Sequence, residues 1–310
     1  MINWYSLEEV PTDFAGTAVT IGKFDGVHLG HQALLSELVD AADNASLAPV
    51  VLTFTNHPDE VFKPGNSRPL LIGPNQKSKL LEEFGVAATL NLEFTRELAS
   101  VSAEDFVVNF LVKGLAAKVV VVGHDFRFGS KGAGNVDLLR ELGAVHGFQV
   151  REVAPVDVDG EVVSSTRIRN LLDQGEVTTV AKLLGRNHST VGMVEHGLKI
   201  GREIGFPTAN MSRTSEGYLP RDAVYAGWLI DGDERYPAAL SVGINETFEA
   251  VPRLLEVHVL DRRDLNLYDH VVEAEYVDFI RPAAKFDGVE SLVEAINADL
   301  DQIRAILKGH

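Results

Sequence analysis

The spacing of hydrophobic residues in the first half of the chain alternates between the periods of strands and of helices. The run KVVVV at residues 118–122 is apolar throughout, which is typical of a strand covered on both faces. Because strand-like and helix-like segments alternate, we predict right-handed crossovers and a doubly wound parallel sheet. The predicted strands cover residues 18–21, 49–54, 86–92 and 118–122, and the first helix buries a face formed by Leu34, Leu35, Leu38 and Ala42.

Local signals refine the ends of these elements. Ser102 and Asp105 have the spacing of a capping box and predict that a helix begins just before FVVNFLVKGL. Residues 22–31 and 123–129 directly follow two predicted strands. Since doubly wound sheets bind ligands beyond the carboxyl ends of their strands, we expect these two loops to carry the ligand site.

From about residue 187 the pattern changes to short apolar stretches separated by Gly, Pro and Asp, which is typical of antiparallel strands. The chain closes with apolar residues that follow the helical period from Val289 to Leu307. We therefore predict an α/β domain at residues 1–185 and a small all-β barrel with one terminal helix at residues 186–310. The predicted barrel stretches are STVGMVEHG, AVYAGWLI, YPAALSVGI, RLLEVHVLD and VVEAEYVDFI.

Composition narrows the class of protein. The 310 residues, of which 45% are hydrophobic, are enough for two domains with separate cores. The lack of cysteine excludes disulfides and cysteine-based sites, and it is compatible with the cytoplasm, where we expect the protein to be. We recognise no secretory signal and no apolar run near the roughly 20 residues that would span a bilayer. The net charge of −17 argues against nucleic-acid and membrane-surface binding, although not against a small phosphorylated ligand. The sequence does not give the oligomeric state, and we leave a homo-oligomer open.

The stretch VTIGKFDGVHLGHQALL at residues 19–35 joins the first predicted strand to the first helix. Such a junction presents unpaired backbone N–H groups and the positive end of the helix dipole, which favour an anion. His28 and His31, three residues apart, can face the same phosphate. Two other interpretations stay open on these residues alone: surface turn residues without a function, or a histidine metal site, for which no third ligand is apparent nearby.

Three motifs carry a resemblance to one family. GKFDGVHLGH at residues 22–31 resembles the HxGH-type signature of nucleotidyltransferases in its prokaryotic FAD synthetase form, and SSTRIR at 164–169 resembles the second phosphate-binding motif of that superfamily. GREIGFPTAN at 201–210 resembles the riboflavin kinase signature. In this order and spacing the chain resembles the bifunctional riboflavin kinase/FMN adenylyltransferases over nearly its whole length. The resemblance implies a Rossmann-like nucleotidyltransferase domain before a riboflavin kinase barrel, with riboflavin, FMN, FAD and ATP as ligands and Mg²⁺ as cofactor.

For the first domain the resemblance implies that the FMN phosphate attacks the α-phosphate of ATP, giving FAD and pyrophosphate. In-line transfer needs positioning and charge stabilisation more than a protein nucleophile. His28 and His31 are the implied catalytic residues, because their hydrogen bonds would stabilise the transition state. Ser165, Thr166 and Arg169 would hold the leaving phosphates, although an ordinary helix N-cap also explains that motif by itself. Further ATP-binding candidates in the glycine-rich turn are Gly22, Phe24, Gly26 and Gly30.

Two other segments are implied on the flavin side. VGHDFRFGSKGAG carries Asp125 and Phe128, and TFTNHPDEVF carries Phe62 but has Thr55 and Asn56 where the family usually has Asp and Pro. Phe62 and Phe128 would flank the isoalloxazine, since flat π surfaces suit aromatic walls. Core packing explains each of these two phenylalanines equally well.

For the second domain the resemblance implies phosphorylation of riboflavin by ATP without a Walker-type motif, which the sequence lacks. Thr208 and Asn210 would hold Mg²⁺ and the ATP phosphates through oxygen, the donor that this hard cation prefers. Glu256 would accept the 5′-hydroxyl proton of riboflavin, although a solvated strand face is the plain alternative for any one acidic residue. Arg281 is implied on the flavin side, and the phosphate-side loop would contain Gly201, Arg202 and Gly205.

The kinase half departs from the family pattern at three positions. Ala223 and Asp269 stand where the family usually has glycine, and Glu246 stands where it has proline. Ala223 is strained only if its φ is positive, whereas Glu246 adds a charge and removes a rigid turn. We favour a chain with both activities. The alternatives are an FMN adenylyltransferase with a weakened or inactive kinase domain, and a non-catalytic flavin or nucleotide sensor.

Overall fold

A computed structural model describes residues 1–11, 16–56, 58–62, 69–196, 205–243 and 253–309. Contacts between Cα atoms divide the chain into two compact units. The first unit consists of Met1–Pro69 and Pro74–Val163, and the second of Leu70–Gly73 and Ser164–His310. Residues 164–185 thus group with the second unit by their contacts, while a functional boundary after residue 185 stays a prediction.

The sheet of the first unit has six strands: β1 (Ile2–Trp4), β2 (Thr17–Ile21), β3 (Ala48–Phe54), β4 (Ala88–Leu92), β5 (Ala117–Gly123) and β6 (Gln149–Val153). Their order is β1-β4-β3-β2-β5-β6, and every neighbouring pair is parallel. The chain moves from β2 through β3 to β4 on one side and continues with β5 on the other side of β2. The ends of β2 and β5 therefore form the topological switch point at which such sheets bind ligands. Residues 22–31 and 123–129 follow these two ends as predicted, and ligand binding there stays a prediction.

The helices of the first unit cover the sheet. Helix α1 buries Leu35, Leu38 and Ala42, which confirms most of its predicted face, whereas Leu34 is half-buried. Ser102 caps its helix as predicted, since its Oγ accepts a hydrogen bond from the Asp105 N–H at 3.0 Å. The helices are α1 (Leu29–Ala45), α2 (Pro58–Phe62), α3 (Pro74–Glu83), α4 (Arg96–Ser100), α5 (Ala103–Phe106), a π-helix (Val107–Gly114) and α6 (Val136–His146), and a hairpin of β7 (Asp157–Val158) and β8 (Glu161–Val162) follows.

The second unit is a closed antiparallel barrel, as predicted, with strand order β10-β13-β12-β11-β14-β9. Its terminal helix buries Leu300, Ile303 and Leu307, whereas Val289 at the start is 60% exposed. No helix among the described residues is long and apolar enough to cross a membrane. The elements are α7 (Ser165–Leu172), α8 (Val177–Leu184), β9 (His188–Glu195), β10 (Ala209–Met211), β11 (Ala223–Asp231), β12 (Glu234–Gly243), β13 (Leu254–Val259), β14 (Val271–Pro282) and α9 (Val289–Leu307).

Two of the three departures from the family pattern can be judged from the backbone. Ala223 begins β11 and pairs with strands on both sides, so alanine fits its extended conformation without strain. Asp269 has φ +64°, a left-handed conformation that glycine adopts at lower cost. Glu246 lies outside the described residues, as do Gly201 and Arg202 of the predicted phosphate-side loop.

Candidate active sites

The turn that follows β2 has a left-handed backbone at three of four successive positions. The φ angles are +51° at Phe24, +87° at Gly26 and +40° at Val27. Glycine adopts such angles freely, whereas for other residues they cost on the order of 1–2 kcal/mol each. Phe24 and Val27 are fully buried, and an added Cβ at Gly22 would lie 3.1 Å from the Phe24 ring. Packing of these side chains therefore offsets the strain and fixes the sharp turn from β2 into α1.

His28 and His31 form a stacked pair at the start of α1, with 3.7 Å between ring centroids and 18° between planes. Nδ1 of His28, the N-cap, accepts a hydrogen bond from the His31 N–H at 3.4 Å. The proton of a neutral His28 ring therefore lies on Nε2. Burial and the neighbouring His28 hold the pKa of His31 well below its usual value of 6.5, so His31 is neutral at physiological pH.

Burial argues against one of the interpretations left open by the sequence. His28 is only 6% exposed, so it is not a surface turn residue. No group of three or more metal-ligating side chains occurs in the described part of the chain. An added Cβ at Gly30 would lie 3.2 Å from the His28 ring, so glycine lets this ring lie close to the helix.

The histidine pair also offers an unsatisfied group. Among the described residues, Nδ1 of His31 is buried and has no hydrogen-bond partner. A buried polar atom without a partner costs free energy unless a ligand or water satisfies it. Together with the N-terminus of α1, this nitrogen makes the turn a candidate site for an anion.

The two phenylalanines predicted beside the flavin have opposite environments. Phe128 is 6% exposed and stacks on Phe126 within the core of the sheet, with 5.5 Å between centroids. Phe62 is 54% exposed and meets Phe94 edge-on at 6.0 Å. Asp125, which follows β5, is also exposed. Phe62 and Asp125 are thus accessible to a ligand, whereas Phe128 supports its loop from the core side, and the flavin contacts of all three stay predictions.

Asn56, which stands in place of the family's proline, ties the end of β3 to the end of β4. Its Nδ2 donates to the Phe94 carbonyl at 3.0 Å, and its Oδ1 accepts from the Phe94 N–H at 2.7 Å. The Phe94 ring contacts Phe54 and Phe62 edge-on. Since proline has neither polar group, this chain replaces a rigid turn with two hydrogen bonds beside the exposed Phe62.

A lysine and an aspartate that we did not single out from the sequence lie at the same edge of the sheet. Nζ of Lys77, on α3, donates to Thr53 Oγ1 and to the Phe54 carbonyl, both at 3.3 Å. Burial lowers the pKa of Lys77, and the charge of Asp25 opposes that shift. Asp25 is itself buried in the glycine-rich turn. These groups therefore connect the turn electrostatically with α3 and the end of β3.

The second phosphate-binding motif opens the second unit. Ser164 caps α7, because its Oγ accepts from the Arg167 N–H at 3.2 Å. Ser165 and Thr166 occupy the first turn, and Arg169 is 6% exposed. The plain helix-cap interpretation thus describes the local geometry correctly, and phosphate binding by this motif stays a prediction.

In the barrel, strand register places Asn210 beside the predicted base. Asn210 of β10 pairs with Glu256 of β13 on one side and with Glu195 of β9 on the other, and Glu256 pairs with Ser241 of β12. Residues directly opposite share a face, with Cβ atoms about 4.5–5.5 Å apart. A row of polar side chains, the Glu256 row, therefore crosses four strands in the order Glu195, Asn210, Glu256 and Ser241.

The surroundings of the Glu256 row suit a base and a nucleotide. Burial raises the pKa of Glu256, which makes the ionised carboxylate a stronger proton acceptor. Thr208 and Asn210 line an open cleft, and β13 contributes Val257 and Val259 to its lining. Glu256 is not among the residues that line this cleft. Gly205, with φ +92°, begins the described part of the loop that leads to Thr208.

Arg281, predicted on the flavin side, is held by the terminal helix. Its Nε and Nη2 donate to the Asp299 carboxylate at 2.9 Å each, and its Nη1 donates to the Pro282 carbonyl at 3.2 Å. This fork anchors α9 to β14 and accounts for the arginine structurally. A flavin contact of Arg281 stays a prediction.

The donor set at Thr208 and Asn210 fits magnesium that enters with a nucleotide. Mg²⁺ keeps several waters and binds one or two protein oxygens together with substrate phosphates. Thr208 and Asn210 supply two neutral oxygens next to the cleft, and Glu195 and Glu256 flank Asn210. These few oxygens match that mode of binding.

Comparison with known proteins defines the class. The family model for FAD synthetase matches residues 10–167, and that for riboflavin kinase matches residues 184–307. Two relatives carry the name bifunctional riboflavin kinase/FMN adenylyltransferase. The protein from Buchnera aphidicola subsp. Schizaphis graminum is 35% identical, and the match covers 94% of each chain. The protein from Pseudomonas fluorescens is 36% identical, and the match covers 97% of this chain and 96% of the relative. A crystal structure described as a macrolide-efflux protein from Streptococcus pneumoniae is 32% identical, with 98% of both chains covered and a TM-score of 0.88. The chain therefore belongs to the bifunctional riboflavin kinase/FMN adenylyltransferase family, which confirms the resemblance carried by the three motifs.

Proposed function

We propose that this chain makes FMN and FAD in two steps, with the barrel phosphorylating riboflavin and the α/β unit adenylylating FMN. The support is that each family match contains its own candidate site. The first contains the histidine pair at the switch point of the sheet, and the second contains Asn210, which lines the cleft and is the cross-strand partner of Glu256.

In adenylyl transfer, an oxygen of the FMN phosphate attacks the α-phosphorus of ATP. The bond from that phosphorus to the bridging oxygen breaks, and pyrophosphate leaves with the electron pair. Nε2–H of His28 donates a hydrogen bond to a phosphoryl oxygen. Nδ1–H of His31, in the tautomer that carries its proton there, donates another. These hydrogen bonds stabilise the growing charge without transferring a proton. Ser165, Thr166 and Arg169 hold the leaving phosphates in this proposal.

In the kinase reaction, the 5′-hydroxyl oxygen of riboflavin attacks the γ-phosphorus of ATP while Glu256 accepts its proton. The bond to the bridging oxygen breaks and ADP leaves. Thr208 and Asn210 would hold Mg²⁺, which when bound neutralises charge on the phosphates. The raised pKa of Glu256 keeps its basicity closer to that of the hydroxyl as it loses its proton.

A chromatographic time course tests both steps. The chain is incubated with ATP and Mg²⁺, in one arm with riboflavin and in the other with FMN. We expect FMN to appear before FAD in the first arm, and FAD with pyrophosphate in the second. Failure to form FMN from riboflavin would leave an adenylyltransferase alone, and binding without pyrophosphate release would leave a sensor. A cytoplasmic location, the oligomeric state and the lack of nucleic-acid binding stay predictions.

A further inference from the structure

His258 of β13 fastens the segment that leads to Thr208. Nδ1 of His258 lies 2.8 Å from the carbonyl oxygen of Pro207, the residue directly before Thr208. The imidazole also meets Phe206 edge-on, with 5.7 Å between centroids. Phe206 in turn packs against the apolar cluster between the barrel and α9. One side chain thus fixes the backbone immediately ahead of a candidate magnesium ligand.

His258 and Glu256 lie on the same face of β13, because residues two apart on a strand point to the same side. Glu256 is also the direct cross-strand partner of Asn210. Strand β13 therefore contacts the segment PTAN at both ends, through Pro207 at its first residue and Asn210 at its last. Both Pro207 and Thr208 line the cleft.

The contact between His258 and Pro207 is a hydrogen bond with a defined direction. A carbonyl oxygen only accepts, so Nδ1 of His258 carries the proton. Burial lowers the pKa of His258; the Pro207 contact and Asp261 oppose that shift, and Arg263 and Arg304 reinforce it. The ring is therefore the neutral Nδ1–H tautomer at physiological pH.

We infer that His258 is a positioning residue of the kinase site, whose Nδ1–H holds Pro207 so that Thr208 and Asn210 meet the phosphates of ATP. This inference rests on the proposed function of Thr208 and Asn210. His258 itself touches no substrate, and proton transfer to Glu256 does not pass through it. Its loss is therefore expected to weaken ATP binding much more than it slows the chemical step.

The test compares His258→Asn with His258→Phe in the full-length chain. The asparagine amide nitrogen can occupy nearly the same place as Nδ1 and still donate, whereas phenylalanine keeps the ring without a donor. With riboflavin saturating, we expect His258→Phe to raise the KM for ATP in FMN formation about tenfold and to change kcat less than about threefold. His258→Asn should restore most of the affinity. His270→Asn, at an exposed histidine of the same unit that pairs with Asp231, is the matched control.

Two further measurements keep the inference open to refutation. Conversion of FMN to FAD by the same variants should be unchanged, which shows that the first unit has folded. A kcat for FMN formation within about threefold of wild type shows that the barrel has folded. Hydrogen exchange of the amides of residues 205–211, measured without nucleotide, should be about tenfold faster in His258→Phe and normal in His258→Asn. Equal defects in both variants, or a lower kcat at unchanged KM, would overturn the inference. If the wild-type chain made no FMN, the proposed function would fail, while the exchange measurement would still test the hydrogen bond.

Discussion

The two candidate sites are built by different physical means. At the histidine pair, three residues with a left-handed backbone make a sharp turn, and Gly30 lets the His28 ring lie close to the helix. Both rings and the start of the helix therefore lie within ten successive residues, 22–31. In the Glu256 row, extended strands bring together residues from four separate segments, and the pairing register alone makes them neighbours. One site depends on local backbone conformation and ring packing, and the other depends on the correct closure of a barrel.

This difference has consequences for robustness. A single side chain added inside the turn displaces a ring, because the turn has no free space around Gly30. The barrel holds its row by many ladder hydrogen bonds, so single side-chain changes leave the register intact and test chemistry directly. Each site can therefore be disabled while the other activity shows that the other unit has folded.

The largest effect is expected from Glu256→Gln, which keeps shape but removes the base. Loss of a general base lowers rates by 10²–10⁴, so we expect FMN formation to fall by about a thousandfold with FAD formation from FMN unchanged. In the wild type, the kinase rate should fall as the pH drops through the pKa of Glu256, which burial places above its usual value, because only the ionised form accepts a proton. Glu234→Gln, at the exposed start of β12, is the control and should stay near wild type. A Glu256→Gln enzyme with normal kcat would exclude Glu256 as the base.

Replacing His28 or His31 should disable the candidate site for FAD formation in the first unit. We expect His28→Ala or His31→Ala to lower FAD formation by about a hundredfold or more, the size of effect seen for lost oxyanion donors, with FMN formation retained. Since His31 is held neutral, the wild-type rate should show no titration of His31 near pH 6.5. His146→Ala, at the end of α6, is the matched control. Near-normal turnover in either site variant would remove that histidine from the mechanism.

The fold was largely predictable because its strong signals are local. The continuous valines of β5 and the apolar stretches of the barrel predict strands within about two residues of their ends. Strand β1 was missed because three edge residues carry too little periodicity, and β6 was missed because QVREV reads as polar. The placement of residues 22–31 and 123–129 after the carboxyl ends of strands followed from the alternation of strands and helices, whereas the lateral order of the strands, and with it the switch point, did not.

The sites were predictable only in part. His28 and His31 belong to a local motif, but their stacking and burial depend on the packing of the turn. Nothing in the sequence separates Phe62 from Phe128, since the exposure of each depends on distant neighbours. Asn56 and His258 find their partners 38 and 51 residues away, so no local pattern could reveal them.

A stability measurement sharpens the view that the barrel depends on long-range closure. Asp299→Ala removes the carboxylate that pairs with the Arg281 guanidinium. Because the arginine side chain is 25% exposed, we expect the free energy of unfolding to fall by about 2 kcal/mol, rather than by the 3–5 kcal/mol of a fully buried pair. The chain has two tryptophans, Trp4 in the first unit and Trp228 in the second. In a Trp4→Phe background, the tryptophan fluorescence followed during denaturation therefore reports on the barrel. Asp301→Asn removes an exposed pair with Arg304 and should cost less than about 0.5 kcal/mol. Equal stability of both variants would show that Arg281 is not an anchor and would leave it for a flavin role.

The smallest effect is expected at Asn56. Here the first unit, like the barrel, depends on contacts between distant segments, because Asn56 joins the ends of two strands by long-range hydrogen bonds. Asn56→Ala removes both bonds to Phe94, so the Phe94 ring loses its fixed position against the exposed Phe62. If the two hydrogen bonds together contribute about 1 kcal/mol to FMN binding, their loss should raise the KM for FMN in FAD formation about fivefold. We expect kcat to change little, because the histidine pair is untouched. Asn56→Asp keeps the acceptor for the Phe94 N–H but loses the donor and should lie between alanine and wild type. Thr55→Ala, at the exposed neighbouring position, serves as control. A lower kcat at unchanged KM would mean that this link supports the chemical step rather than the flavin side of the site.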